Sequence, residues 1–255
     1  MLINHTEYEA MYDVEENMWW YRILHIKTLE AISKHFKEDK NIRILDAGCG
    51  TGGMMQFLKS NGYNNLEGFD FNESAVEFSK NRNLNVKKSD ILKTEEAFSK
   101  AEYDLIICND VLYQFDNKEI TDILYQFEKI LKPTGILVTN NNSFKIFSGT
   151  HDLAVGSKNR FVLSDFEKII SEISNLKIIK YHYWSLFLSP LILVIRVFQN
   201  LKLRLGMINI ENIKSDVKMP SDFVNSILFK IVKFENTILN NSPFGSSLHL
   251  VIKKL

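Results

Sequence analysis

The sequence predicts an α/β fold built on a parallel sheet. Short apolar runs alternate with amphipathic stretches from about residue 41 to residue 140, the rhythm of strand–helix–strand crossovers. Four of the 11 glycines fall between Gly48 and Gly53, directly after the first apolar run. Glycine concentrates where backbone turns sharply or approaches a ligand closely, so the cluster marks a strand-to-helix turn with a purpose.

Residues 1–38 read as helix, with Met18, Trp19, Tyr21, Ile23, Leu24, Ile26, Leu29, Ile32 and Phe36 forming an apolar face. The charged run 37–40 ends it. Strands are expected at 42–47, 66–69, 84–86, 104–108 and 135–139. Between them helices are expected at 54–60, 74–81, 94–99 and 119–131, the last stopped by Pro133. Beyond that the rhythm changes. Ser164 with Glu167 three residues on reads as the start of a helix over 164–174, followed by a strand at 176–183. The next strand is 248–253. The intervening 184–247 reads as a helical cap inserted between the last two strands: Ser189-Pro190 opens one helix, Gly206 closes it, and Ser221 opens another. The expected organisation is therefore an N-terminal helical segment (1–40), a ligand-binding α/β domain (41–183 with 248–255) and the cap (184–247).

Composition narrows the function. The chain has 255 residues, 31 basic and 31 acidic, with 45% apolar and 12% aromatic content. That is enough apolar surface for a sizeable core and excludes wholesale disorder. Zero net charge argues against a nucleic-acid-coating protein. Two cysteines, Cys49 and Cys108, make no disulfide framework and predict a reducing, cytoplasmic setting. Early acids and the lack of an apolar run leave no secretory or transit signal at the N-terminus. Residues 184–198 are the most apolar stretch, but contain Arg196 and fall short of the roughly 20 residues that span a bilayer. This stretch has three readings: cap core, a face for a homodimer or partner, or an interfacial helix in peripheral membrane contact through 184–205, with Lys202, Arg204 and Lys214 nearby.

Residues 44–53, ILDAGCGTGG, run from strand through turn to helix. Gly48, Gly50 and Gly53 satisfy G-x-G-x-x-G, the dinucleotide pattern. Gly48, Gly50 and Gly52 with Asp46 satisfy D-x-G-x-G-x-G, the loop of enzymes that use S-adenosylmethionine (SAM). A carboxylate at Asp46 suits a cofactor with a cationic amino-acid end and is unwelcome beside a pyrophosphate. Further polar groups follow in register. Asp70 ends the second strand, 18 residues beyond Gly52, and can accept from ribose hydroxyls. Asp90 follows the third strand, placed for an adenine amine with Ile91 against the ring, and Asn109 and Asp110 close the fourth. Each acid alone could be a solvated strand-end residue.

On these motifs the segment from Asn41 to Asn140 resembles the class I SAM-dependent methyltransferases. The residues that carry it are LDAGCGTGG (45–53), LEGFDFNESAVEFSK (66–80), SDIL (89–92), YDLIICNDVLYQF (103–115) and LKPTGILVTN (131–140). The resemblance implies a Rossmann-like seven-stranded sheet of order 3-2-1-4-5-7-6 with the last strand antiparallel. It also implies SAM as cofactor and S-adenosylhomocysteine (SAH) as product. Its implied cofactor site comprises Asp46, Gly48, Cys49, Gly50, Asp70, Phe71, Asp90, Ile91 and Asn109, with Trp20 covering the cofactor and Arg22 meeting its carboxylate. The flanks, ENMWWYR (16–22), 186–196 and Glu235 with 243–248, resemble methyltransferases of bacterial polysaccharide and surface-glycan gene clusters. They imply O-methylation of a sugar or glycan precursor. Gln114 stands where such relatives often carry His, and Ser157 to Phe161 thins their basic element.

A hydroxyl acceptor calls for a general base, and histidine suits neutral pH. His151 lies beyond the fifth strand, with Asp152 beside it to orient the ring. It is the candidate, with a surface-loop histidine as the plainer alternative. Tyr113 is a candidate polar wall of the site or a packing residue. His25, His182 and His249 read as structural. No His/carboxylate cluster has ligand spacing, so no metal is predicted. The rivals are an NAD(P)-binding oxidoreductase, a non-catalytic binding protein of the same fold, and methyl transfer to a lipid, phosphoryl group or small metabolite.

Overall fold

The computed structural model describes residues 5–98, 102–208, 213, 215–239 and 241–255. Lys214 and Ser99 lie outside the described residues. Seven strands form one sheet in the order β3-β2-β1-β4-β5-β7-β6. They are β1 (Ile44–Ala47), β2 (Leu66–Asp70), β3 (Val86–Lys88), β4 (Tyr103–Ile107), β5 (Leu131–Asn142), β6 (Leu176–Trp184) and β7 (Ser247–Lys254). The first five are parallel, and β7 runs antiparallel between β5 and β6.

The period-two alternation of strand side chains sets the two layers. Leu45, Ile106, Leu137 and Ile252 point to one face, which is covered by α6 (Asn117–Ile130) and α8 (Leu163–Ser171). Ile44, Leu105, Ile136 and Val251 point to the other, beneath α2 (Trp19–Phe36), α3 (Gly53–Ser60) and the cap helix α10 (Asp222–Ile238). The remaining helices are α1 (His5–Val14), α4 (Glu73–Asn81), α5 (Thr94–Phe98), α7 (Thr150–Ala154) and α9 (Ser189–Arg204). α9 and α10 lie between β6 and β7 in the chain, where the cap was expected.

Several boundaries differ from the sequence expectation, each for a local reason. The N-terminal segment is two helices. The chain breaks at 15–18, where Asn225 of α10 accepts from the Trp19 amide at 2.7 Å and donates to the Asn17 carbonyl at 2.9 Å. β3 sits two residues later than expected, paired with Gly68 to Asp70. β5 starts at Leu131, opposite Tyr103, and then crosses an irregularity containing Pro133 and Thr134 (φ 66°) before regular pairing resumes at Ile136. α8 is capped by Asp165, which accepts from the Val162 amide at 2.8 Å, and Ser164 lies inside the helix. Ser189 does not cap α9; its hydroxyl donates back to the Ser185 carbonyl at 2.8 Å. Gly206 (φ 66°) does close α9, and the next amide, Met207, reaches back to the Lys202 carbonyl at 2.9 Å.

The parallel strands deliver their carboxyl ends to one edge, where the segments after β1, β2, β3 and β4 meet. A buried chain of hydrogen bonds ties that edge to the final hairpin. Trp184 Nε1 donates to Asn140 Oδ1 at 2.9 Å, and Asn140 Nδ2 donates to both carboxylate oxygens of Asp110 at 3.1 and 3.2 Å. Trp184→Phe removes the donor and leaves a buried amide oxygen unpaired. It is expected to cost about 1–3 kcal/mol, read as a lower urea midpoint at unchanged slope.

Candidate active site

The crevice at the strand ends is a cavity of about 750 Å³, within the range of small-ligand sites. Its floor is the turn after β1. Gly48 has φ 75°, and a Cβ there would lie 2.5 Å from Val111 Cγ2. Only glycine satisfies both the backbone and the space. Gly53 opens α3 for a different reason: a Cβ there would lie 2.4 Å from the Glu15 carboxyl carbon.

Glu15 is the residue that sequence reasoning missed. Its carboxylate accepts from the Gly53 amide and the Thr51 hydroxyl and pairs with Arg82 Nη2 at 2.9 Å. The N-terminus of α3 is therefore filled by the protein's own anion. That is where a dinucleotide would place its pyrophosphate. Burial pushes the Glu15 carboxyl up to about 7 against the pull of Thr51 and Arg82. Nothing local in the sequence signals this contact, because Glu15 and Thr51 are 36 residues apart.

Around the turn, Asp46 is buried with its Oδ2 unpartnered among the described residues. Burial, reinforced by Glu15 and Asp70, pushes its carboxyl up to about 8. Asn109 carries two further buried polar atoms, Oδ1 and Nδ2, without partners. Asp70 accepts from the Gly50 amide at 3.0 Å through Oδ2 and from the Asn72 amide at 2.9 Å through Oδ1. Burial raises its pKa and these backbone donors oppose that rise. Asp90 accepts from the Leu92 amide at 3.0 Å, opening a helical turn that carries the buried Ile91. Cys49 and the exposed Phe71 also face the cavity. An unpaired carboxylate and an unpaired amide beside a glycine turn can receive an ammonium and a carboxylate, the two ends of an amino acid. These residues fit SAM.

Tyr8 and Met11 of α1 and Trp20 of α2 roof this end. Trp20 packs on Trp184 with ring centroids 5.6 Å apart. Arg22 is not brought to the cavity. Its guanidinium lies 4.0 Å from the Phe229 ring centroid, turned toward α10 by the helical phase that sends Trp19 and Trp20 inward.

At the other end the cavity meets Tyr113, Phe147, His151, Arg160 and the cap residues Ile192, Ile195 and Arg196. Asp152 does not orient His151; it accepts from Arg160 Nε at 2.7 Å and caps the Gly149 amide at 2.9 Å. The contact on His151 comes instead from the Asp216 amide, which donates to Nδ1 at 3.3 Å. With Nδ1 accepting, the neutral ring carries its proton on Nε2. Burial lowers the His151 pKa, opposed by the Asp216 carboxylate. Neutral His151 therefore presents an Nε2–H donor in this arrangement. Burial pushes the Tyr113 phenol well above its ordinary range, so it too stays a donor at neutral pH. The carboxylate that titrates near neutrality here is Asp110, brought up to about 7 by burial against the Asn140 amide. Among the described residues no group of three His, Cys, Asp or Glu could hold a metal ion.

The family profile described as "Methyltransferase domain" matches residues 38–179, and the chain belongs to that family. It carries a methyltransferase domain of that family. Its similarity to curated proteins includes ubiquinone biosynthesis O-methyltransferases: that of Rickettsia bellii (strain OSU 85-389) is 28% identical over 153 residues, covering 53% of this chain and 61% of the relative. That of Rickettsia typhi (strain ATCC VR-144 / Wilmington) is 28% identical over 154 residues, covering 53% and 60%. The chain thus spans about three fifths of the length of these relatives. In fold it resembles a SAM-dependent methyltransferase from Archaeoglobus fulgidus (TM-score 0.56, 18% identity, 92% and 94% covered). It also resembles the plantazolicin methyltransferase BpumL, solved with a triazolic desmethylPZN analogue and SAH (TM-score 0.60, 18% identity, 98% and 90% covered).

The raised Asp46 pKa gives a signed expectation for the ligand-free protein. Between about pH 4 and 8 the unfolded chain has Asp46 ionised while the folded chain keeps it protonated. Folding then binds a proton, and the Asp46 contribution falls as pH rises. Asp46→Asn lacks this loss. Its stability relative to the parent is expected to climb from pH 5 to pH 8 in urea unfolding; a pH-independent difference would show that Asp46 is ionised in the fold.

Proposed function

We propose that this chain transfers the SAM methyl group to a hydroxyl oxygen of a small acceptor held between the glycine turn and the cap. The observation that carries this reading is the unpaired Asp46 carboxylate and Asn109 amide beside a helix start already filled by Glu15. That arrangement welcomes a zwitterionic amino-acid end and repels a pyrophosphate, which disfavours the oxidoreductase reading.

Asp46, Gly48, Cys49, Gly50 and Asn109 would hold the methionine end. Asp70 would accept from the ribose hydroxyls with Phe71 beside it, and Asp90 from the adenine amine with Ile91 against the ring. Trp20 would cover the cofactor. When bound, SAM supplies an activated methyl on a sulfonium that is itself the leaving group. The protein's task is then to align the acceptor oxygen, take its proton and exclude water. We assign the oxygen to the His151 Nε2–H and the proton to the Asp110 carboxylate, which the Trp184–Asn140 chain holds in place. α1 and the cap exclude solvent.

For the acceptor, the flanking segments support a sugar hydroxyl on a surface-glycan precursor. A second reading, a phenolic hydroxyl on a largely apolar molecule, is favoured by the apolar wall of Phe147, Ile192 and Ile195. The curated relatives carry names in ubiquinone biosynthesis. Methyl-transfer assays on nucleotide sugars and on simple catechols separate the two.

SAH calorimetry in buffers of different ionisation enthalpy should show proton release near pH 7, because the ligand's ammonium group set against Asp46 drives it to its carboxylate. Asp70→Ala should abolish binding. Asp110→Asn should lower kcat by roughly 10²–10⁴-fold with SAH affinity retained, while His151→Ala should act chiefly on the acceptor KM. An Asp110→Asn enzyme with full kcat would remove the carboxylate from the proton path.

A further inference from the structure

Among the described residues, most exposed large apolar side chains belong to the cap. On α9 and its C-terminal cap, Leu191, Val194, Phe198, Leu201 and Leu205 recur every three or four residues and are each at least 50% exposed. The face turned to the protein is mixed: Ile192 packs on the core and lines the cavity, beside polar contacts. Arg196 pairs with Asp216 at 2.7 Å and donates to Gln199 at 2.7 Å, and Asn200 donates to the Ser148 carbonyl at 3.0 Å. A helix docked on a body in water turns its polar side outward, which α9 does not.

α10 also carries exposed apolar residues. Its sequence puts Phe223, Ile227, Leu228, Ile231, Phe234, Ile238 and Leu239 on one side. Leu228 and Ile231 pack on the core, whereas Phe223, Ile227, Phe234 and Ile238 are exposed, and Asn225, Val232 and Glu235 are buried. Both helices thus leave a set of apolar side chains without cover among the described residues.

The charges say what covers them. Residues 184–205 contain no acid, and their cations are Arg196, Lys202 and Arg204. Arg196 is spent inward on Asp216, whereas Lys202 and Arg204 are exposed at the end of α9. α10 adds exposed Lys230 and Lys233. A second copy packed along α9 would set its cations against each other with no acid in 184–205 to oppose them. An anionic surface complements them. α9, at 16 residues, is about 24 Å long, and no helix among the described residues is long and apolar enough to cross a membrane. Such a helix lies in the interface.

We propose that α9 is a membrane-surface helix that seats the cap on an anionic lipid bilayer, its apolar stripe at the acyl boundary and Lys202 and Arg204 among the headgroups. Ile192, Ile195 and Arg196 on the same helix line the cavity, so the bilayer lies one helix away from the acceptor end. This deepens the proposed function by making membrane-borne amphiphiles the acceptor class, and rests on that function for the acceptor alone, since docking is read without turnover.

Flotation of the full chain with phosphatidylglycerol vesicles and with phosphatidylcholine vesicles tests it, alongside sedimentation velocity and SAH calorimetry. The expected result is a monomer that floats with phosphatidylglycerol and much less with phosphatidylcholine. Phe198→Glu with Leu201→Glu should abolish flotation, and Lys202→Glu with Arg204→Glu should weaken it by roughly 30-fold or more. Both variants change exposed residues and should bind SAH normally, which shows that they fold. No flotation of the parent chain overturns the proposal, as does flotation indifferent to both substitutions, or a stable dimer that Phe198→Glu dissociates. SAH binding without vesicle binding would defeat the docking proposal alone; loss of SAH binding in the parent would defeat the cofactor reading instead.

Discussion

The arrangement depends on one carboxylate. Glu15 reaches from the break between α1 and α2 to the start of α3, where it meets the Gly53 amide, the Thr51 hydroxyl and Arg82. Arg82 in turn binds Glu16 and the Tyr12 carbonyl, so the N-terminal helices are fastened to the glycine turn and to α4 at once. The position of Tyr8 and Met11 over the cavity follows from that fastening. So does the chemistry beneath them: an anion already sits at the helix start, and the neighbouring Asp46 is held protonated by burial and by that charge. The pocket is prepared for a cation and closed to a phosphate by the same contact.

A second line of force enters from the other side of the sheet. Trp184 ends β6, Asn140 belongs to β5 and Asp110 follows β4, and their side chains form one buried relay. Asn140 has its amide orientation set from both ends, donor to the carboxylate and acceptor from the indole. The Asp110 carboxylate is thus positioned by residues with no access to an acceptor. Asp110 itself has a left-handed backbone (φ 58°), which the relay and the sheet edge together maintain.

The parallel strands, the glycine turn and the strand-end acids were legible because they are local, whereas the sheet order followed from the family resemblance. Strand periodicity, Asp46 with its glycines, and Asp70 and Asp90 at strand ends are all read within a few residues of one another. What escaped was long-range. The break at 15–18 is made by Asn225, more than 200 residues away. Asp152 was adjacent to His151 in sequence yet turned to Arg160, while the residue that touches His151, Asp216, lies 65 positions on. Arg22 followed two cavity tryptophans and still faced Phe229, because one helical step of about 100° turns a side chain to another face. The orientation of the cap helices stayed open in the sequence. Apolar periodicity identified both helices, but periodicity says only that a helix has an apolar side, never which way that side is turned.

The place of β7 has a consequence for how the chain acquires its shape. It is the last strand in sequence and lies inside the sheet, between β5 and β6. During synthesis β6 has no neighbour to bond with, and one edge of β5 stays open, until the 62 residues between β6 and β7 have been made and β7 follows. Over that interval the nascent chain carries two unsatisfied strand edges together with the cap's bare apolar stripes, the combination most prone to wrong pairing. The half of the sheet bearing the glycine turn needs none of this, so it can be assembled while the acceptor side is still being translated. The order of strands thus sets an order of birth: cofactor side first, acceptor side last, with a vulnerable gap between.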